Sequence, residues 1–260
     1  MTMKQESKAA ARPARRSGPL RSIAEFAFVI LVVVAGKTAI AEPFYVPSGS
    51  MEPTLLIGDE LLAVKYAYGY GTASLPSFID VQSSTRLFAS DPKRGDVVVF
   101  RWPGDRTQVW VKRVIGLPGD RIALRNGQVF INGNPVPLRA DGTGNMETDN
   151  GAKIAARRFT ETLPGGRAHP IFKLTASNPL DNMPEITVPP DRLFVMGDNR
   201  DDSADSRVPV REGGVGLLPM ENLVGRVDAL VGSWDLAQRH QPIWTWPSGL
   251  RPSRFFTSVN

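Results

Sequence analysis

Hydrophobic and polar positions alternate in two different ways along this 260-residue chain. From Ile23 to Ala41 the apolar positions are almost continuous, reading "IAEFAFVILVVVAGKTAIA", with Glu25 and Lys37 toward the ends. At 1.5 Å rise per residue this run predicts a helix of roughly 28 Å, about one hydrocarbon core. After Pro43 the pattern changes to short β-branched runs separated by glycine and proline. Strands are expected at 60–66 (ELLAVKY), 96–102 (DVVVFRW), 108–115 (QVWVKRVI), 120–126 (DRIALRN), 128–133 (QVFING), 192–196 (RLFVM) and 223–231 (LVGRVDALV). Turn signals at Pro118-Gly119-Asp120, Asn126-Gly127 and Asn132-Gly133 separate them, and Asn126-Gly127 is the clearest hairpin. The spacing predicts a mostly β fold built on an antiparallel sheet, since alternating βαβ units are missing from the pattern.

The stretch 138–190 interrupts this texture. It is polar, rich in glycine and asparagine, and offers only weaker strands around 171–175 (IFKLT). Because RLFVM resumes the core pattern afterwards, the stretch reads as a smaller β-rich region inserted into the main sheet system. The exported domain would then run from 42 to 260. Near the end, Trp244, Trp246, Phe255 and Phe256 alternate with Arg251 and Arg254. Aromatics beside arginines suit a membrane interface, and they suit a packed tail equally well.

Charge changes the picture at the N-terminus. Residues 1–22 carry six basic side chains against Glu6 alone, which accounts for the whole net charge of +5 and leaves the remainder neutral. A basic tail on a neutral body argues against a nucleic-acid-binding surface. It fits a cytoplasmic tail (1–22) followed by a transmembrane anchor (23–41), with everything beyond on the outer face. A cleavable signal peptide shares this layout. The length of the apolar run and the intrusion of Lys37 before the small residues Ala39 and Ala41 favour an uncleaved, single-pass anchor.

Composition also narrows the chemistry. There are no cysteines and only two histidines, His169 and His240, so thiolate nucleophiles, disulfides and multi-histidine metal centres are excluded. Neither histidine lies in a context that marks a triad base. The stretch 46–54, VPSGSMEPT, carries Ser50 in a Pro-Gly turn, and a serine hydroxyl needs a base to act as a nucleophile. A lysine or a carboxylate would have to serve. Lys112, in TQVWVKRVIG, shares strand parity with Trp110 and Val114. Burial of that face would desolvate the ammonium and lower its pKa. The opposite parity carries Val109, Val111, Arg113 and Ile115, so alternation does not decide which face is buried, and without further context Lys112-Arg113 reads as a solvated basic pair. Residues 196–207, MGDNRDDSADSR, are acidic but fail the EF-hand spacing: Ser203 falls where glycine belongs and Pro209 where glutamate belongs. They read as a polar loop in which Asp205 and Arg207 can pair. The Arg94-Gly95-Asp96 triplet leads into a strand and reads as a turn.

Taken in order, PSGSMEPTL, RGDVVVF, VKRVIGLPGD, NGQVFING, MGDNRDDSADSR and ENLVGRV resemble bacterial type I signal peptidase, the membrane-bound Ser/Lys endopeptidase family of general export. The matching blocks span about 42–231. The resemblance implies Ser50 as nucleophile, Lys112 as general base, and an oxyanion hole formed by the Ser50 N–H with the Ser48 hydroxyl. It implies that Ser203 orients the lysine and that Asp205 with Arg207 supports the site. No metal or organic cofactor is implied. Asp202 stands in a slot often held by asparagine, one membrane segment is evident where some members have two, and no cysteine pair occurs in the inserted region. Also, VGLLPMENLVGR replaces the more usual Gly-Phe-Val-Pro wording.

The function implied is removal of signal peptides from exported preproteins, after small residues of the Ala-x-Ala type, through an acyl-enzyme. The partners implied are those preproteins and the lipid bilayer, with the enzyme a monomer in the bacterial inner membrane. Two alternatives are a specialised Ser/Lys processing protease, such as a pilin-maturation relative, and a non-catalytic tethered β domain that binds exported chains.

Overall fold

The computed structural model describes residues 23–29, 40–74, 85–148, 151–236, 238 and 241–259. The chain divides into two units, Met1–Thr38 and Ala39–Asn260. In the first, residues 23–29 are helical. The basic tail and most of the expected anchor, residues 30–39, lie outside the described residues, as does His240. Among the described residues, no helix is long and apolar enough to cross a membrane.

The second unit is mostly antiparallel β. Its strands are β1 (Ala41–Tyr45), β2 (Asp59–Val64), β3 (Val97–Trp102), β4 (Asp105–Gly116), β5 (Arg121–Arg125), β6 (Gln128–Ile131), β7 (Asn134–Pro135), β8 (Leu138–Glu147), β9 (Lys153–Thr162), β10 (Ala168–Lys173), β11 (Met183–Thr187), β12 (Arg192–Met196), β13 (Leu218–Pro219) and β14 (Leu223–Ser233). Seven of them form one sheet in the order β1-β2-β14-β3-β4-β12-β13. A four-stranded sheet runs β11-β5-β6-β7, and a three-stranded sheet runs β10-β9-β8. Each of the seven expected runs overlaps a strand, although Lys65 and Tyr66 belong to a 3-10 turn and 132–133 to a hairpin turn. The Asn126-Gly127 hairpin is present, with Arg125 opposite Gln128 and both turn residues at positive φ (50° and 79°). Gly127 adopts that conformation without the steric cost a β-carbon brings.

Two strands of ten residues, β8 and β9, occupy the stretch where the pattern offered only weak strands. Their residues are mostly exposed, so no apolar-polar alternation marks them, and they pair through register from Leu138–Glu161 to Glu147–Lys153. The following strand, β10, was expected two to three residues further on. The stretch 138–190 does not stay in one sheet, because β11 pairs with β5.

Packing follows the sheets. Val46, Met51, Leu55, Leu61, Val97, Val99 and Val227 form one buried cluster, and Val98, Phe100, Val114, Val195 and Leu223 form another. A third joins the large sheet to the four-stranded one through Ile115, Phe194 and Met196 against Ile122, Leu124 and Val129. Fully burying such side chains contributes about 1.5–3 kcal/mol each. This packing holds β4 and β12 rigidly where they approach the turn bearing Ser50.

Candidate active site

Ser50 sits in a short 3-10 turn, Gly49–Met51, that follows an extended Ser48. The Glu52 N–H closes the turn on the Gly49 carbonyl at 3.0 Å. Met51, fully buried in the core, anchors it. The two flanking serines therefore cannot share an orientation: one belongs to the turn and the other to the extended entry.

Lys112 reaches this turn from β4. Along β4, burial changes abruptly: residues 107–109 are exposed, whereas Lys112 to Gly116 are all buried. Neither strand parity is the solvent face there, which is why alternation left the matter open. The pairing of β12 with β4 runs from Phe194–Gly116 to Met196–Arg113 and ends beside Lys112. Lys112 is 4% exposed and Arg113 2%, so the solvated-pair reading is overturned.

The Lys112 Nζ lies 2.8 Å from Ser50 Oγ and 3.0 Å from the Val111 carbonyl oxygen. It also stands 5.6 Å from the centre of the Trp110 ring. Burial pushes its pKa down to about 8, and the carboxylates of Asp205, Asp198 and Asp202 offset part of that fall. A lysine so placed is partly neutral near physiological pH and can accept a proton from the hydroxyl it touches. Ser48 Oγ lies 3.4 Å from Ser50 Oγ on the exposed side.

The loop 197–207 completes the surroundings. The Asn199 N–H donates to the Ser50 carbonyl at 3.2 Å, and its side-chain amide donates to the Gly49 carbonyl at 3.2 Å. Asp205 is fully buried, accepts the Gly197 N–H at 3.0 Å and pairs with Arg207 at 2.8 Å. Burial would raise the Asp205 pKa, but the Arg207 guanidinium overrides it and the net direction is down. Ser203 is buried at the same place, with its hydroxyl making no hydrogen bond, to Lys112 or otherwise, among the described residues. Gly197 is required by closeness: a β-carbon there would stand 2.4 Å from the Ser50 carbonyl oxygen and 2.3 Å from Ser203 Oγ.

Behind the loop lies a buried ionic network that sequence reasoning missed. Arg113 binds Asp198 through two nitrogens at 2.8 and 2.7 Å, and Arg200 binds Glu161 from β9 at 2.8 and 2.5 Å. His169 lies between them, its Nε2 3.3 Å from Glu161 and 3.8 Å from Asp198. Burial opposes ionisation of Asp198 and Glu161, yet the arginines hold both carboxyls below the usual range. The network ties the three-stranded sheet to the site loop. The acidic density of MGDNRDDSADSR was its only trace in the sequence.

Ser48, Ser50 and Lys112 line one open cleft of about 560 Å3. Phe44, Tyr45, Val46, Leu61, Val99 and Val111 supply apolar walls, and Asp202 and Ala204 border it. Among the described residues, no cluster of three or more metal-ligating side chains occurs.

The antiparallel β fold thus sets a buried lysine against a serine hydroxyl in an open cleft, the pairing of base and hydroxyl that a serine-nucleophile site requires. Comparison with known proteins gives the family. The model described as "Signal peptidase, peptidase S26" matches residues 20–234, and this chain belongs to that peptidase family. It is 36% identical to the signal peptidase I of Rickettsia typhi over 92% of this chain and 93% of that one. It is 40% identical to the signal peptidase I of Rickettsia canadensis over 90% and 91%. A solved signal peptidase I from Enterococcus faecalis aligns with 53% of this chain and 97% of its own, at 22% identity and a TM-score of 0.31.

Proposed function

We propose that this chain is a membrane-anchored endopeptidase that removes signal peptides from exported preproteins, with Ser50 and Lys112 as its catalytic dyad. The observation that carries this reading is the 2.8 Å contact between the buried Lys112 amine and the Ser50 hydroxyl. The 36–40% identity to signal peptidases I across nine-tenths of the chain supports the choice of substrate.

In this mechanism neutral Lys112 takes the Ser50 proton as Oγ attacks the scissile carbonyl. The oxyanion accepts hydrogen bonds from the Ser50 N–H and the Ser48 hydroxyl, each lowering the barrier by about 3 kcal/mol. Protonated Lys112 then gives its proton to the departing amine, and the acyl-enzyme forms. Water, deprotonated by Lys112, attacks the ester and releases the cleaved signal peptide. Asp205 with Arg207 keeps the loop 197–207, which carries the buried Ser203, in place. The cleft admits small side chains next to the scissile bond and excludes large ones by steric overlap. The anchor at 23–41 would confine enzyme and precursor to the same surface, raising their effective concentration.

Purified full-length protein in detergent, given a synthetic precursor with one Ala-x-Ala site, should cut once, after the second alanine. Ser50→Ala and Lys112→Met should abolish cutting while keeping the circular-dichroism spectrum. Cutting at wild-type rate by Lys112→Met would remove the dyad from consideration.

A further inference from the structure

Glu52 lies two residues beyond Ser50, on the far side of the same turn, and is 1% exposed. Its Oε2 accepts the backbone N–H of Glu147 at 3.0 Å, and the carboxyl also accepts the Ile57 N–H. Glu147 is the last residue of β8, so this bond joins the Ser50 turn to the three-stranded sheet. The approach is close on both sides. A β-carbon on Gly49 would stand 3.0 Å from the Glu147 carbonyl oxygen and 3.5 Å from the Glu52 carboxyl carbon. The Asn199 amide spans the same seam, donating to the Gly49 carbonyl at 3.2 Å and lying 2.8 Å from Met146 Sδ. The turn is thus wedged between the end of β8 and the loop 197–207.

We propose that Glu52 is a positioning residue, whose ionised carboxylate pins the turn bearing Ser50 to the end of β8 and so fixes the hydroxyl against Lys112. This rests on the reading of Ser50 and Lys112 given above and extends it to the inserted sheet. Two backbone N–H groups use the carboxylate as acceptor, and protonation withdraws part of that capacity. The charged groups facing it are Glu147 on β8, which disfavours ionisation, and Arg251, which favours it. Arg251 is placed by its bond to the Ile57 carbonyl at 2.9 Å and lies 3.6 Å from the Glu147 carboxylate. Asp235 and Lys153 act one step further out, through Glu147. Burial pushes Glu52 up to about 7, so the pin loosens as pH falls through neutral.

The test compares wild type, Glu52→Gln, Glu52→Ala and Ser50→Ala as full-length proteins, using the synthetic precursor and the pH dependence of kcat/KM. Two groups must lose protons in wild type, so log kcat/KM should fall with a slope of about two below pH 7, against about one in Glu52→Gln. Glu52→Gln is the neutral isostere of the protonated acid, so it should lose kcat by about tenfold even above pH 8, and Glu52→Ala by about a hundredfold, both with KM nearly unchanged. Should Glu52→Ala fail to fold, the slopes of wild type and Glu52→Gln decide the matter alone. Equal slopes in those two proteins, beside an inactive Ser50→Ala, would overturn the pin and leave the dyad standing. Cleavage by Ser50→Ala would overturn both.

Discussion

Lys112 Nζ and Ser50 Oγ lie 2.8 Å apart although 62 residues separate them in the chain. One sits at the point where β4 becomes buried on both faces, the other in a turn anchored by Met51. The contact places an amine that burial weakens as an acid-holding group directly on the hydroxyl it is proposed to deprotonate.

The pH dependence of cleavage follows from that burial. In the proposed mechanism the active form is the neutral amine, so kcat/KM should rise through pH 8 and level off above it. The lysine has a lower pKa folded than unfolded, so stability is least where it is charged in both states, rises as pH climbs from about 8 to 10.5, and levels off above that. Lys112→Met should therefore be inactive yet more stable than wild type at pH 7, by on the order of 3 kcal/mol. Urea titrations at pH 7 and pH 10.5 check the sign; a variant less stable at pH 7 would contradict the desolvation argument.

Ser48→Ala removes one proposed oxyanion donor from an exposed position 3.4 Å from Ser50 Oγ. It should lower kcat by about a hundred- to a thousandfold while leaving KM and thermal stability nearly unchanged. Steady-state kinetics on the synthetic precursor reads this directly. A kcat within twofold of wild type would take Ser48 out of the oxyanion hole.

Gly197→Ala forces a β-carbon to within 2.4 Å of the Ser50 carbonyl oxygen, which is backbone and cannot step aside alone. The turn or the loop must move, and a displacement of about 1 Å costs on the order of a hundredfold in rate. Activity should fall that far and the melting temperature should drop. Unaltered kinetics would show that the seam between turn and loop is looser than the distances indicate.

Arg113 and Asp198 form a doubly bonded pair with about 2% and 1% of their side chains exposed. Removing one partner strands the other, so Arg113→Met or Asp198→Ala should each cost about 3–5 kcal/mol. The double variant should cost less than the two single losses combined, which a double-mutant cycle in urea measures. Asp198, Glu161 and Asp205 all have depressed pKa values, so the stability they contribute is present above the ordinary carboxylate range and is lost as pH falls below it. Simple additivity of the two single losses would argue against the pair acting as a unit.

Much of the β core could be read from short apolar runs between turn residues, because β3 and β12 of the large sheet and β5 and β6 of the four-stranded one bury such runs. β8 and β9 could not, since both are mostly exposed and are held by backbone pairing, with β9 between β10 and β8, which needs no apolar periodicity. Among the C-terminal aromatics, Trp244 and Phe256 remain about 80% exposed, while Arg251 and Arg254 turn inward to Glu147 and Asp59. Their spacing alone gave no hint of that division.

Local sequence determined which residues could supply chemistry. Without cysteine, and with two histidines in unpromising contexts, a serine in a Pro-Gly turn had to look to a lysine or a carboxylate, and ordered motifs named Lys112. Only the tertiary structure decided the state of that lysine and the precision of its placement. Desolvation depends on atoms brought from β12, the loop 197–207 and the Ser50 turn, and no neighbouring residue in the chain reports them. The same holds for Glu52, Asp198 and Asn199, whose partners Glu147, Arg113 and Gly49 are 85 to 150 residues away. Long-range contacts set the dielectric and the geometry of the site, and those two quantities are absent from any local pattern.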